Sequence, residues 1–533
     1  MARYKEYDYS QGKFIPIHFD KQILPGTFEY SLHYLIDNEI DLSIFDSRYQ
    51  NDETWAPAYD PAILLKIILY AYSKGITSSR DIAQCCRENV IFMALSADTR
   101  PHFTTIADFI STADQEIIKL FLQVLLVCDS MGLIGKEMFA VDGSKMPSNA
   151  SKEWSGTREE FRHKRDKMEQ ILARHREMDI KEEDRGIIEQ EEKYVETIKK
   201  KIRKIKQWLE ENEDKQGKMG KPIKSNITDN ESAKMKTSHG VIRGYNGVTV
   251  VDDKHQVIVH AEAFGAAQEH DLLEPVIDRT TENFKEIGSE KDIFEKAKLV
   301  ADSGYHTESN MKMVMEEGID AYIADTQFRK RDPRFANVDK YKERFRKDRA
   351  EYYGKKDLYR PKDFTISGDK TYCICPTVSK PETFTEKMKR KIDSIKGRLI
   401  YNRRLGIAEP PFAHIKSILR LDRFTLRGKR KVNTQWLLYV CDSHMSHIRS
   451  GVAPDFPSVA FLMGDYVTGS VSAAQIANGY TDFLVLADVD QSVLDLYQAT
   501  MGTTMVIDSS GIVRMNEDYK DGTRLREVLE VLP

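Results

Sequence analysis

The stretch Phe139-Ala140-Val141-Asp142-Gly143-Ser144-Lys145 leads apolar residues straight into an aspartate and follows it with a Gly-Ser pair. This reads as a short buried strand ending in a carboxylate at a sheet edge, with a turn behind it. A single aspartate in that place is ordinarily a turn former or a helix cap. The design recurs, however, in Lys298-Leu299-Val300-Ala301-Asp302-Ser303-Gly304-Tyr305. A third acid, Glu409, follows the basic run Tyr401-Asn402-Arg403-Arg404 and opens the helical-looking Pro410-Pro411-Phe412-Ala413-His414-Ile415-Lys416. Three acids on separate elements can hold two divalent cations, a common arrangement for attacking or forming a phosphodiester bond.

These stretches resemble the motifs of bacterial insertion-sequence transposases, whose DDE catalytic domain has a ribonuclease-H-like fold. The matching pieces are VDGSK at Asp142, ADSGYH at Asp302, and YNRRLGIAEPPFAHIK around Glu409. The last is similar to the family's Y-x2-R-x3-E-x6-K signature. Tyr401, Arg404, Glu409 and Lys416 stand in its roles, with an Arg-to-Glu gap one residue longer. The likeness spans roughly residues 10 to 447 and leaves out the tail. It implies an α/β fold, a mixed sheet flanked by helices. A helical N-terminal domain over 1–130 precedes a catalytic domain over 131–447.

The bulk composition fits a protein of several domains. At 533 residues the chain can bury sizeable cores, and 31% charged residues suit long solvated helices. A net charge of −4 gives no global positive field, so nucleic-acid contact has to be judged locally. Six cysteines in this length do not form a disulfide scaffold, and Cys85, Cys86, Cys128 and Cys441 read as ordinary thiols. Cys373-Ile374-Cys375 lacks a second Cys/His pair at zinc spacing. With no apolar signal core at Met1–Glu6 and no membrane-length apolar run, a cytoplasmic, nucleoid-associated protein is expected.

Along the first 130 residues helix signals dominate. Asp60-Pro61 opens one helix, others follow Thr77-Ser78-Ser79 and Phe103-Thr104-Thr105, and Ile117–Leu126 is strongly apolar. Short helices with tight turns suit either a helix-turn-helix-like DNA reader or a plain bundle. The family likeness implies a domain that binds the element's terminal repeats. After the first strand, about Thr157 to Lys215 is highly charged, with sparse apolar residues at heptad-like spacing from Ile188. A helical hairpin with its turn near Asp184-Arg185-Gly186 is predicted. It serves either as a solvated insertion or as a dimerising or DNA-clamping arm. Gln216–Ser225 reads as a linker.

Residues 226–330 read as α/β core. A hairpin turns at Asp252–His255, helix Asp271–Asn283 follows, and strands Ala297–Ala301 and Gly318–Ala324 complete the sheet. Asp229 and Glu231 are expected in a turn or cap, with a place near the metals as the alternative. Basic runs over 329–362, 387–404 and 416–431 surround the third acid, which argues for phosphate contact. The last run carries Arg420 and Arg423. From residue 455 a βαβαββα order resembles a small thioredoxin-like domain, most clearly in TTMVIDSSGIV. No cysteine follows Cys441 and Gly502 replaces the expected proline, so disulfide exchange is excluded.

The resemblance implies the following chemistry. Asp142, Asp302 and Glu409 hold two Mg²⁺ or Mn²⁺ ions, with Asp142 bridging both. Lys416, seven residues after Glu409, returns to the same helix face and touches a phosphate beside the scissile bond. Tyr401 and Arg404 position double-stranded DNA, and a homodimer forms on paired element ends. The competing readings are a stand-alone metal-dependent nuclease and a catalytically dead DNA-binding relic. A phosphatase with Asp142 as nucleophile lacks its second aspartate, because Ser144 stands there.

Overall fold

The computed structural model describes residues 17–49, 57–177, 185–217, 220–237, 240–289, 291–331, 365–366, 373–374, 382–452, 503–507 and 513–518. The chain forms two compact units. One comprises Met1–Met131, Ala413–Leu421 and Leu437–Pro533, the other Gly132–Phe412 and Asp422–Trp436.

In the first unit the first five described α-helices start on side-chain caps, and the sixth has none. Thr27 caps α1 (Phe28–Asn38), and the Asp60 carboxylate accepts the Ala62 N–H at 2.7 Å to open α2 (Pro61–Ser73). Ser78 caps α3 (Ser79–Glu88) and Asn89 caps α4 (Val90–Leu95). Helix α5 (Phe103–Thr112) starts before the Thr pair, not after it, because the His102 ring accepts the Thr104 N–H. Helix α6 (Asp114–Ser130) contains the apolar Ile117–Leu126 run. Leu32, Leu35, Leu65, Ile68, Leu120 and Leu125 are fully buried, and each such side chain contributes about 1.5–3 kcal/mol. Tyr72 of α2 stacks on Tyr439 with ring centroids 4.4 Å apart.

The second unit is built on a mixed sheet. Strand β1 (Met138–Pro147) is followed by the helical hairpin α7 (Arg158–Glu177) and α8 (Arg185–Glu211). Then come β2 (Ala233–Thr237), β3 (Gly240–Asp252), β4 (Ile258–Phe264), α9 (Leu273–Glu286), β5 (Lys298–Ala301), α10 (Glu308–Glu316) and β6 (Asp320–Ile323). Helices α11 (Phe384–Asp393) and α12 (Ile395–Ala413) follow, and α13 (Lys429–Val452) begins in this unit and from Leu437 belongs to the first. The strands lie in the order β4-β3-β1-β5-β6, antiparallel from β4 to β1 and parallel from β1 to β6. Strand β2 extends the β3 edge. This is the ribonuclease-H-like order that the resemblance implies. Met138–Val141 are all buried, as expected of a central strand covered on both faces.

Several local readings change. Strand β1 does not end at Asp142. On its β5 side pairing stops at Val141–Ala301, but on its β3 side it runs on to Pro147–Gly244. The long β3 strand offers partners to Gly143 and Ser144, so the expected turn stays extended. The Gln216–Ser225 linker is instead two short ladders, Lys215–Gln216 with Pro222–Ile223 and Ser155–Gly156 with Ser225–Asn226. Asp229 and Glu231 do serve as caps. They accept the N–H groups of Gly428 and Lys429 where α13 starts, and Tyr245 donates its hydroxyl to Asp229 at 2.7 Å.

The hairpin α7–α8 is anchored at its base by Phe161, Ile205, Trp208 and Leu209, with Trp154, Met168 and Ile227 against them. Ile198 and Ile202 are buried as well, so this part of the heptad-like seam is used within the chain. The predicted hairpin turn lies outside the described residues up to Asp184. So do most of the 329–362 basic run, Cys375 and most of the tail, of which Thr503–Ile507 and Val513–Asp518 form an antiparallel pair. No helix among the described residues is long and apolar enough to cross a membrane.

Candidate active site

The parallel register of β1 and β5 sets Val141 opposite Ala301, so Asp142 and Asp302 follow side by side from adjacent strands. Such strands lie about 4.8 Å apart, within reach of one shared cation. That cation is a side chain. Arg404, from α12, donates through Nη1 to Asp142 Oδ2 at 2.8 Å and lies 3.4 Å through Nη2 from Asp302 Oδ1. The Arg404 side chain is 8% exposed, against 19% for Asp142 and 38% for Asp302, so the bridge is closed on the protein side. Asp142 Oδ1 also accepts its neighbour's Gly143 N–H at 2.8 Å. Burial pushes the Asp142 carboxyl above its usual range and Asp302 adds to the rise, against the pull of Arg404 and Gly143.

A further carboxylate comes from the loop after β4. Glu269 Oε1 accepts from Asn246 Nδ2 of β3 at 3.1 Å. Its oxygens lie where side chains on Gly143 and Gly304 would begin. A Cβ on Gly143 would stand 3.0 Å from Oε1, and one on Gly304 would collide with Oε2. Glycine at 304 therefore makes room for the carboxylate, and glycine at 143 relieves a tight contact with it. Burial raises the Glu269 carboxyl, and Asp142 and Asp302 raise it further, while Asn246 opposes. The loop is held by His270, whose ring Nδ1 meets the Gly304 carbonyl at 2.6 Å, and by Asn310, which donates to the His270 and Tyr305 carbonyls. Tyr305 is fully buried beside these acids, and its phenol is pushed well above its usual range by burial and then by Glu269, Asp142 and Asp302.

Next to Asp302 opens a cleft of about 380 Å³, lined by Ser303, Asp325, Phe328, Arg329, Tyr401 and Asn402 among others. Tyr401 meets the Phe328 ring edge-on at 5.0 Å. Arg331 binds Asp325 at 2.7 Å and Asp393 at 2.8 Å, so this cation of the basic region is committed to the fold.

The predicted residues fall into two groups. Asp142, Asp302, Arg404 and Tyr401 come together. Glu409 is exposed and lies five residues beyond Arg404 on α12, turned by roughly 140° from it. It does not open a helix, because α12 begins at Ile395 and runs through Pro410 and Pro411. Proline at 410 removes the N–H that would bond Gly406, and Gln256 Nε2 supplies the missing donor to the Gly406 carbonyl at 3.0 Å. Lys416 lies in the π-helical turn His414–Ile418, so the α-helical count behind its shared face with Glu409 does not carry through. Arg420 and Arg423 are exposed, and Arg423 reaches Asn149 Oδ1 at 3.3 Å. Sequence reasoning missed Glu269, Asn246 and Tyr305. The one available signal was the charged Gln268-Glu269-His270-Asp271 between a strand and a helix.

The donor set is carboxylate oxygen, suited to hard divalent cations, and one guanidinium already spans Asp142 and Asp302. Among the described residues, no three His, Cys, Asp or Glu side chains stand ready-made in a metal-holding group. The pair thus fits a cation by charge and chemistry, with Arg404 its present partner.

Two family models match the chain. A transposase domain (DUF772) matches residues 17–112, and the transposase DDE domain matches residues 220–441, together more than half of the chain. The second interval holds Asp302, Arg404 and Glu409 but not Asp142, which lies before the hairpin insertion and reaches Asp302 and Arg404 from β1. Comparison with curated proteins and with solved structures gave no match.

Proposed function

The chain belongs to the DDE transposases of insertion sequences, and we propose on that footing that one site at Asp142 and Asp302 performs both nicking and strand transfer. DDE transposases cleave and transfer phosphodiester bonds with the help of divalent metal ions. The observation that supports the site is the β1–β5 register, with one guanidinium across both carboxylates. When bound, two Mg²⁺ or Mn²⁺ ions supply Lewis acidity toward the scissile phosphate.

Asp142 and Asp302 hold the cations, and Glu409 serves as the third acid of the family signature. In nicking, a water oxygen bonds to phosphorus as the 3′-oxygen leaves with a proton. In joining, the freed 3′-hydroxyl oxygen bonds to a target phosphorus and gives up its proton, while the target strand's own 3′-oxygen leaves and takes one up, so one phosphodiester replaces another. Tyr401 and Arg404 position the DNA strand, while Lys416, Arg420 and Arg423 bind phosphates along it. The helical N-terminal domain binds the terminal repeats, and two copies assemble on paired ends.

An excision and joining assay tests this, with the gene's own flanking DNA as donor and Mg²⁺ present. The intact chain is compared with Asp142→Ala and with a chain stopped after His447. Asp142→Ala is expected to lower joined product at least about a hundredfold while DNA binding holds. Equal loss of binding and cleavage would overturn the assignment of Asp142. Cleavage without joined product would make the protein a nuclease.

A further inference from the structure

Glu269 meets the two aspartates from a third element. Its oxygens border Gly143, which follows Asp142, and Gly304, two residues after Asp302. A side chain at Gly304 would collide with Oε2, and one at Gly143 would crowd Oε1. Asn246 fixes one oxygen, and the loop behind it is tied to Gly304 through His270. The acid is thus placed by the same strands that place Asp142 and Asp302.

A second observation points to a ligand. The Tyr305 side chain is fully buried, yet its hydroxyl has no hydrogen-bond partner among the described residues. It lies within electrostatic reach of Glu269, Asp142 and Asp302, so a polar group is aimed into the acid cluster with its bonding capacity unused. Charge agrees. Asp142 and Asp302 share the one buried guanidinium of Arg404, and Lys145, the cation acting on Glu269, is exposed. Hard oxygen donors with surplus negative charge, partly withdrawn from water, suit a divalent cation.

We propose that, once a divalent cation binds at Asp142 and Asp302, Glu269 becomes a further oxygen ligand of it; without the cation the three acids do not stand as a metal-holding group. This rests on the assignment of those two aspartates above. Glu269 then adds a carboxylate from outside the family signature, and Asn246 orients it as outer partners orient metal ligands.

Mn²⁺ binding to the full chain without DNA, read from the electron paramagnetic resonance of free Mn²⁺, tests it. Glu269→Gln keeps the side-chain shape and removes the charge, and is expected to weaken Mn²⁺ binding about tenfold or more. Glu269→Asp, which keeps the charge on a shorter arm, should recover part of that loss. Without metal, Glu269→Gln should melt no lower than wild type, because it relieves repulsion among the acids. Wild-type Mn²⁺ affinity in Glu269→Gln, with affinity lost in Asp142→Ala, would overturn the proposal alone. Unchanged affinity in Asp142→Ala would overturn it together with the reading beneath it. A metal-free melting temperature lowered by several degrees in Glu269→Gln would mark a structural role and overturn it too.

Discussion

At the scale of single residues, Arg404 is the centre of the site. The sequence motif assigns it to DNA, and before any DNA is bound the structure sets its guanidinium across Asp142 and Asp302. Removing one partner of such a bridge leaves the other charge uncompensated. Arg404→Ala is therefore expected to destabilise the second unit by roughly 2–4 kcal/mol, discounted for the partial exposure of Asp302. Added Mg²⁺ should recover part of it, because the carboxylates regain a cation. Melting curves with and without Mg²⁺ decide this, and equal curves for variant and wild type would show that the bridge carries no stability. Asp142 and Asp302 were legible in the sequence because each ends a run of buried apolar residues, a local pattern. Glu269 was not. It sits in a loop without periodicity, and a distant glycine, Gly304, makes room for it.

At the scale of elements, the sequence placed most helices and strands and misjudged where several end. Capping chemistry is local, so α2 and α3 begin where Asp60 and Ser78 say they should. Strand ends depend on partners. Strand β1 continues past its Gly-Ser pair because β3 is long enough to pair with it, and α12 survives two prolines with the help of Gln256. The insertion depends on partners too, since its base is a cluster around Trp208, set against Phe161 with ring centroids 4.8 Å apart. Trp208→Ala should cost about 3–5 kcal/mol within this cluster. Helical circular dichroism on heating and the rate of proteolysis within α7–α8 measure it. Unchanged values would mean that the hairpin is held elsewhere.

At the scale of the whole molecule, buried titratable groups couple the fold to pH. Burial drives the His260 imidazole down from 6.5 to about 3, so the folded chain keeps it neutral while the unfolded chain takes up a proton. The contribution is complete above 6.5 and is lost as pH falls toward 3. Over that window stability should drop by about 1.4 kcal/mol per pH unit from this group. Asp142 and Glu269 act in the opposite sense, because their raised pKa values favour the folded state as they take up protons. Comparing wild type with His260→Gln isolates the histidine. The variant's stability should fall less steeply between pH 6.5 and about pH 4. Parallel pH profiles would remove His260 from the account.

The sequence by itself determined the family, the α/β class, the helical lead domain and the two strand-borne aspartates. All of these are written in short-range patterns: apolar runs, caps and motif spacing. Only the tertiary structure decided which groups face one another. It set Arg404 between the aspartates, left Glu409 exposed five residues farther along α12 and brought Glu269 against Gly143 and Gly304. The reason is physical. A side chain's electrostatic partners are fixed by strand register, helix phase and the space left by missing side chains, and these join residues more than a hundred positions apart.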